Sequence, residues 1–303
     1  MVNDGSTDRS GTIIDQFARK NPRFRVFHKK NGGVSTARNF ALDIIEKEKK
    51  RFEFIHFVDS DDRIESNIYT ELIKTIKSDN SDIAVCAFYH LHPDGKQTDG
   101  RIPPRKTINS EEFVELVFSF GEWNNTHGAG GFPFKLFRAE TISGIRFINN
   151  KEIVEDELFC IEAATKSARI SILPTLLYGY RQRSGSLVRD GRFMFRHLKC
   201  RELCIPLAAR ISEHSHFVAI SAYLPILLNY SKYQAQFNGV NHDMVSTDAL
   251  NKFLVSDICP KKVRFLYRMF SRHPVVSKIY LTVRTAFHTL FKKKKKKQIN
   301  LFD

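Results

Sequence analysis

Apolar residues in the first ninety positions follow two alternating rhythms. In TIIDQFARK, Ile13, Ile14, Phe17 and Ala18 share one side of a 3.6-residue period, which predicts a helix. RFRVFHK then alternates Phe24, Val26 and His28 against Arg23, Arg25 and Phe27, the period of a strand. The turn NGG leads into VSTARNFALDIIEKEKK, where Ser35 is placed to cap a second helix with Ala37, Ala41, Ile44 and Ile45 on its apolar side. FEFIHFV reads as a strand, and Ile64, Ile68, Leu72 and Ile76 at fourfold spacing predict a third helix. DIAVCAFYHL follows as a long apolar strand closed by the turn HPDGK. This succession predicts an α/β domain with a mostly parallel sheet.

Beyond about residue 190 turn signals thin out, apolar residues take helical spacing and basic residues accumulate towards RTAFHTLFKKKKKKQ. The expected division is an α/β domain over 1–190 and a helical region with a basic amphipathic tail over 191–303. The longest apolar stretch, FVAISAYLPILLNY from Phe217, contains Pro225 and falls short of the roughly 18–20 residues that cross a bilayer, so it predicts a buried or interfacial helix. MVNDGSTDRSG has neither the basic start nor the apolar run of a signal peptide.

Lys and Arg number 48 against 33 Asp and Glu, a formal charge of +15 that favours a polyanionic partner: a nucleotide, nucleic acid or anionic lipid. No recognised RNA or DNA module accompanies the charge, and no nucleic-acid partner is expected. Five cysteines without CxxC spacing argue against a disulfide framework or a zinc site and for a reducing compartment. Cys200 and Cys204 share one helical face and read as packing residues.

Against this positive background FVDSDDRI gathers Asp59, Asp61 and Asp62 at the end of a predicted strand. Carboxylates packed so closely repel one another unless a cation, a hydrogen-bond network or water relieves them. In open α/β sheets ligands collect at the carboxyl ends of strands. Hard divalent ions such as magnesium or manganese take oxygen ligands from a few carboxylates plus substrate phosphates, and this spacing suits a metal held against a diphosphate. The same residues also suit a helix cap in a solvated turn.

Six segments occur in order along the chain: VNDGSTD at 2–8, NGGVSTARN at 31–39, FVDSDD at 57–62, FKLFR at 134–138, EDELF at 155–159 and YRQRSGSL at 180–187. In this order they resemble the family 2 glycosyltransferases of GT-A fold, particularly bacterial members that build capsule, exopolysaccharide or lipopolysaccharide chains. The resemblance covers residues 2–190. It implies transfer of a sugar from a nucleotide-sugar donor to a hydroxyl of a glycan or lipid-linked acceptor, with inversion at the anomeric carbon. It further implies that Asp4 contacts the nucleotide base, that Asp59 lies near the ribose, that Asp61 with Asp62 holds Mg or Mn, and that Asp156 is the general base.

Arg38, Arg181 and Arg183 are candidate phosphate or acceptor contacts because a guanidinium pairs with phosphate oxygens in a fixed fork. Arg38 is equally suited to a salt bridge on its helix. Glu155 is placed to orient Asp156 or to bind acceptor, and Glu157 to face solvent.

Members of the family begin with an apolar strand, a nucleotide-contacting loop and a helix before the strand that runs into VNDGSTD, whereas this sequence begins within that second strand. The expectation is a GT-A domain incomplete at its amino end, with unpaired strand edges and a slot in its core. It is either a working transferase or an inert remnant that retains nucleotide or membrane binding. The tail from Val263 mixes Phe, Leu, Tyr, Ile and Val with many cations and ends in Lys292–Lys297, a composition that lies on anionic lipid. The expected location is cytoplasmic, peripheral on the cytoplasmic face of the inner membrane.

Overall fold

The structure, a computed structural model, describes residues 1–48, 52–99, 104–118, 134–150, 154–182 and 193–230, except the side chains of 193–195, 198, 221 and 224–230. The chain divides into two compact units, Met1–Ala219 and Ile220–Asp303. The basic tail lies outside the described residues. No helix among the described residues is long and apolar enough to cross a membrane.

Within the first unit, β1 (Val2–Asn3), α1 (Ser10–Lys20) and β2 (Phe27–His28) form a small parallel pair with its crossover helix. Helix α2 (Val34–Lys47) follows, then β3 (Phe54–His56), β4 (Arg63–Ile64), α3 (Ile68–Asp79) and β5 (Ile83–Leu91). After these come β6 (Gln97–Asp99), β7 (Lys106–Ile108), α4 (Ser110–Phe118), β8 (Lys135–Arg138), α5 (Glu155–Ala164), β9 (Ile170–Arg181), α6 (Phe193–Ala209) and α7 (Glu213–Tyr230), whose residues from Ile220 on belong to the second unit. Seven strands make the main sheet, in the order β3-β8-β5-β9-β4 with β6 added to β5 and β7 to β9.

The centre of this sheet is β5, whose residues Ile83 to Tyr89 are all buried, so the uninterrupted apolar run reflects cover on both faces. Helix α3 lies against it and buries Ile68, Leu72, Thr75 and Ile76 at the spacing the sequence predicts. It ends on Asn80 in the left-handed region (φ 48°), a conformation Asn tolerates better than most residues. Between β3 and α5, Phe147 stacks on Phe159 at 4.2 Å and Phe57 meets both rings edge-on.

Several expectations change. The sheet is not mostly parallel: β5 and β9 run parallel, but β8 runs against both β3 and β5, β4 and β7 run against β9, and β6 runs against β5. The HPDGK turn explains the last of these, because a short connection can only return a strand antiparallel. Ile64 belongs to β4, opposite Tyr178, and not to α3. RFRVFHK contributes only Phe27 and His28 to a strand. Gly33, at φ 90°, stands at the N-cap of α2 and Ser35 lies inside its first turn.

Two features set the main sheet apart from the amino end. Among the described residues β1–β2 is bonded to no strand of the larger sheet. Helix α1 buries none of its side chains, leaving Ile13 55% and Phe17 45% exposed.

Strand β9 packs unusually tightly against β5 at Gly179. A Cβ there would come within 2.8 Å of the Tyr89 ring, and that ring is tethered because its hydroxyl donates to Glu65. Gly179→Ala is therefore expected to lower stability by about 1–3 kcal/mol, the range for overpacking a filled site, read as an earlier midpoint in urea denaturation.

Candidate active site

The acidic loop begins where β3 ends. Its Phe57 ring is anchored between Phe147 and Phe159, and the Asp62 N–H donates to the Asp59 carbonyl at 3.1 Å, which folds the loop into a turn. From α2, Arg38 reaches across with Nη2 donating to Asp59 at 2.8 Å and Nη1 donating to Glu155 at 3.1 Å. The guanidinium lies over the Phe147 ring at 5.1 Å, and its side chain is only 12% exposed. Burial works against its charge, but Asp59 and Glu155 outweigh burial and hold its pKa above the ordinary arginine value. The sequence left Arg38 between ligand contact and salt bridge; here it joins the acidic loop to the start of α5.

Asp62 points towards β9. Its carboxylate accepts from the Tyr178 hydroxyl at 2.7 Å and from the Arg181 N–H at 2.9 Å, while Arg181 Nε donates to the Asp61 carbonyl at 2.7 Å. The Tyr178 hydroxyl also accepts from the Asp59 N–H at 3.4 Å. Burial, with a smaller contribution from Asp59 and Asp61, pushes the Asp62 carboxyl up to about 6 despite these donors. Burial and the neighbouring Asp62 likewise drive the Tyr178 hydroxyl up. Asp59, Asp61 and Asp62 do not converge: no group of three His, Cys, Asp or Glu residues among the described residues is arranged to hold a metal. Arg183 lies outside the described residues.

Asp4 sits at the turn that leads into α2. Its carboxylate accepts from Lys29, from the Gly32 N–H at 3.1 Å and from the Gly33 N–H at 2.7 Å. Burial would raise its pKa, yet Lys29 and the two amides together bring it below the usual carboxylate range. Lys29 also donates to Thr36 at 3.0 Å, so Asp4 and Lys29 together fasten the NGG turn to the first turn of α2. A Cβ at Gly5 would sit 2.6 Å from the Asn31 nitrogen, which is why the DGS turn can meet NGG only with glycine there.

Helix α5 opens with Glu155, Asp156 and Glu157, three carboxylates favoured by the positive end of the helix dipole. Asp156 accepts from the Glu157 N–H at 2.8 Å. Burial first, then the Glu155 charge, pushes its carboxyl up to about 7, with Arg38 pulling the other way. Glu157 departs from expectation. Instead of facing solvent it is 4% exposed and ion-paired at 3.1 Å with both His197 and Arg201 of α6, whose charges overcome burial and keep its pKa below the usual range.

Sequence reasoning also passed over Tyr178, although it stands two positions before the YRQRSGSL segment, and over Lys135 of FKLFR. Lys135 is fully buried, its ammonium 4.4 Å from the centre of the Phe134 ring, with burial lowering its pKa against the charges of Cys160, Asp156 and Cys86. The motif itself was the available signal for Lys135. Cys200 and Cys204 are buried, with sulfurs 3.9 Å apart, as packing residues.

The α/β unit that carries the acidic loop and the carboxylate-rich helix start matches solved structures of GT-A fold. A crystal structure of S. aureus TarS 1-349 in complex with UDP-GlcNAc aligns with a TM-score of 0.61 at 19% identity, covering 95% of this chain and 81% of that one. Residues 1–140 match the family model described as glycosyl transferase family 2. Similar proteins include "Uncharacterized glycosyltransferase EpsJ" of Bacillus subtilis (strain 168), 30% identical over 193 residues. Glycosyltransferase GlyG of Streptococcus pneumoniae serotype 4 is 28% identical over 193 residues. Each alignment covers 62% of this chain, and 53% and 62% of the two relatives respectively.

Removing Arg38 would leave Asp59 and Glu155 without their shared cation. Taking one partner from a buried ion pair costs roughly 3–5 kcal/mol, and because Asp59 is 35% exposed the loss in Arg38→Met is expected near or below the lower limit, measured by urea unfolding.

Proposed function

We propose that the chain transfers a sugar from a nucleoside-diphosphate donor to a hydroxyl of a glycan or lipid-linked acceptor, inverting the anomeric carbon. The observation that carries this reading is the Arg38 bridge, which sets an acidic loop suited to a cation and diphosphate beside a helix start bearing a tuned carboxylate. The TarS structure was solved with UDP-GlcNAc, which makes a UDP-sugar the first donor to try.

In this mechanism Asp156 is the general base. A hydroxyl attacks poorly while it keeps its proton, and a base is most effective when its pKa lies near the working pH. Burial and Glu155 bring Asp156 into that range. Glu155, itself held by Arg38, orients the base or meets the acceptor. Asp4 and Asp59 contact the base and ribose of the donor, and Arg38, Arg181 and Arg183 are its candidate phosphate or acceptor contacts.

The loop offers the ligand type of a hard divalent cation, carboxylate oxygens, and burial together with the Asp59 and Asp61 charges already raises Asp62, although the three side chains do not converge on one point. Arg38 is also engaged by two carboxylates, so an arriving diphosphate meets little uncompensated positive charge from that side chain. Asp61, with Asp62, would hold Mg or Mn, which when bound stabilises negative charge on the departing diphosphate. Lys292–Lys297 would keep the enzyme on the cytoplasmic face of an anionic membrane, close to a lipid-linked acceptor.

The test is release of UDP from UDP-glucose, UDP-galactose and UDP-GlcNAc with manganese and a panel of glycan and lipid-linked acceptors. Asp156→Asn is expected to lower turnover by about 10²–10⁴-fold while donor binding survives. Asp61→Asn is expected to weaken manganese-dependent UDP binding in calorimetry. If the chain neither binds UDP with manganese nor releases it from any donor, the reading fails.

The pH dependence has a fixed sign. Asp156 must be ionised to accept a proton, so turnover is expected to fall as pH drops through about 7 and to level off above it, in a pH–rate profile at saturating donor.

A further inference from the structure

The three carboxylates that open α5 point in different directions. Glu155 meets Arg38, Asp156 accepts from the following amide, and Glu157 enters the core. Glu157 is received there by a built cluster. His197 Nδ1 lies 3.1 Å from one carboxylate oxygen and Arg201 Nε 3.1 Å from the other, and Arg201 is 1% exposed with its guanidinium 5.1 Å from the Phe118 ring of α4. One turn away, the Cys200 thiol donates to the Val154 carbonyl at 3.2 Å, and Val154 is the residue on which α5 starts. His197, Cys200, Arg201 and Cys204 fall at positions i, i+3, i+4 and i+7, so a single face of α6 grips the α5 start at two points.

Successive residues of an α-helix differ by about 100° in direction. Pinning Glu157 towards α6 therefore decides where Asp156 and Glu155 point. We propose that Glu157, clamped by His197 and Arg201, is a positioning residue that fixes the orientation of Asp156 in the transfer reaction, an inference that rests on the role given to Asp156 above. A buried ion cluster is rarely the most stable way to fill a core, since apolar side chains of similar volume do as well or better. What it adds is direction: the Glu157 carboxylate lies 3.1 Å from His197 at one oxygen and 3.1 Å from the Arg201 charge at the other, which ties the helix start to one face of α6.

Asp156 is faced by Glu155, Glu157 and Cys160 of its own helix, by Arg38 of α2, by Lys135 of β8 and by Cys200 of α6. Among these the negative charge of Glu157 is one of the influences that make Asp156 hold its proton. Removing that charge tests whether the two carboxyls sit side by side, and the split between kcat and donor KM separates positioning from a merely structural role.

The experiment compares the full chain with Glu157→Gln and with Glu157→Gln/Arg201→Gln, the second leaving neither charge buried alone. The Asp156 carboxyl is titrated by ¹³C NMR, assigned by the signal lost in Asp156→Asn, and amide exchange is followed through α5. In Glu157→Gln the midpoint is expected to move to lower pH. In both variants the first-turn amides of α5 are expected to exchange at least tenfold faster. With UDP-GlcNAc and manganese, kcat is expected to fall at least tenfold while the donor KM stays within twofold.

A folded Glu157→Gln with the wild-type midpoint and exchange rates overturns the proposal, as does a variant whose kcat is undiminished where the wild type turns over. If Glu157→Gln does not fold, the double variant carries the exchange and kcat tests, and its failure to fold would mark the cluster as structural and overturn the proposal too. A midpoint shifted in Glu157→Gln, with a wild-type chain that transfers no sugar, would leave the clamp standing and refute the transferase reading alone.

Discussion

Everything the site can do depends on one guanidinium serving two carboxylates that belong to different parts of the chain. Arg38 and Asp59 are 21 positions apart, and Arg38 and Glu155 are 117 apart. Without a cation between them, the acidic loop and the start of α5 would repel. The planar fork suits this task, since it can donate to two acceptors at once while its face rests on an aromatic ring. Phe147 supplies that ring and also stacks on Phe159 of α5, so the ion bridge and the apolar core fix the same geometry twice.

The carboxylates around this bridge are managed in unlike ways. Asp4 is satisfied by backbone amides and a lysine, and Glu157 by two basic side chains of α6. Asp62 and Asp156, by contrast, are left in surroundings that favour their protonated forms. Groups with displaced proton affinity concentrate where chemistry happens, because a site must keep some charge uncompensated until its ligand arrives. Here one lies in the acidic loop and the other at the start of α5.

Much of this was readable from the chain alone, and the remainder was hidden for identifiable reasons. The periods of Ile68, Leu72 and Ile76 and the unbroken run of β5 follow from local packing, so the helix and the central strand were visible. The direction of β8 was not, since nothing within KLFR says which way it lies beside β5. Strands of two residues, such as β4, have no period to detect, and Ile64 was drawn into the next helix on spacing alone. Asp59, Asp61, Asp62 and Asp156 stood out as motifs, whereas their partners did not: Tyr178 lies 116 positions from Asp62, and His197 lies 40 from Glu157. Charge on a helix start reads as solvated until the element that covers it is known.

The uncovered flank of α1 bears on how firmly the site is held together. Segments with few buried contacts open at low free energy, and α1 buries no side chain, whereas β5 is enclosed on both faces. Asp4 and Lys29, which tether the glycine turn before α2, border exactly that loosely held stretch. Breathing of β1–α1–β2 would thus loosen the anchorage of the turn while leaving Asp156 and its clamp untouched, so the two ends of the site are built on ground of unequal firmness.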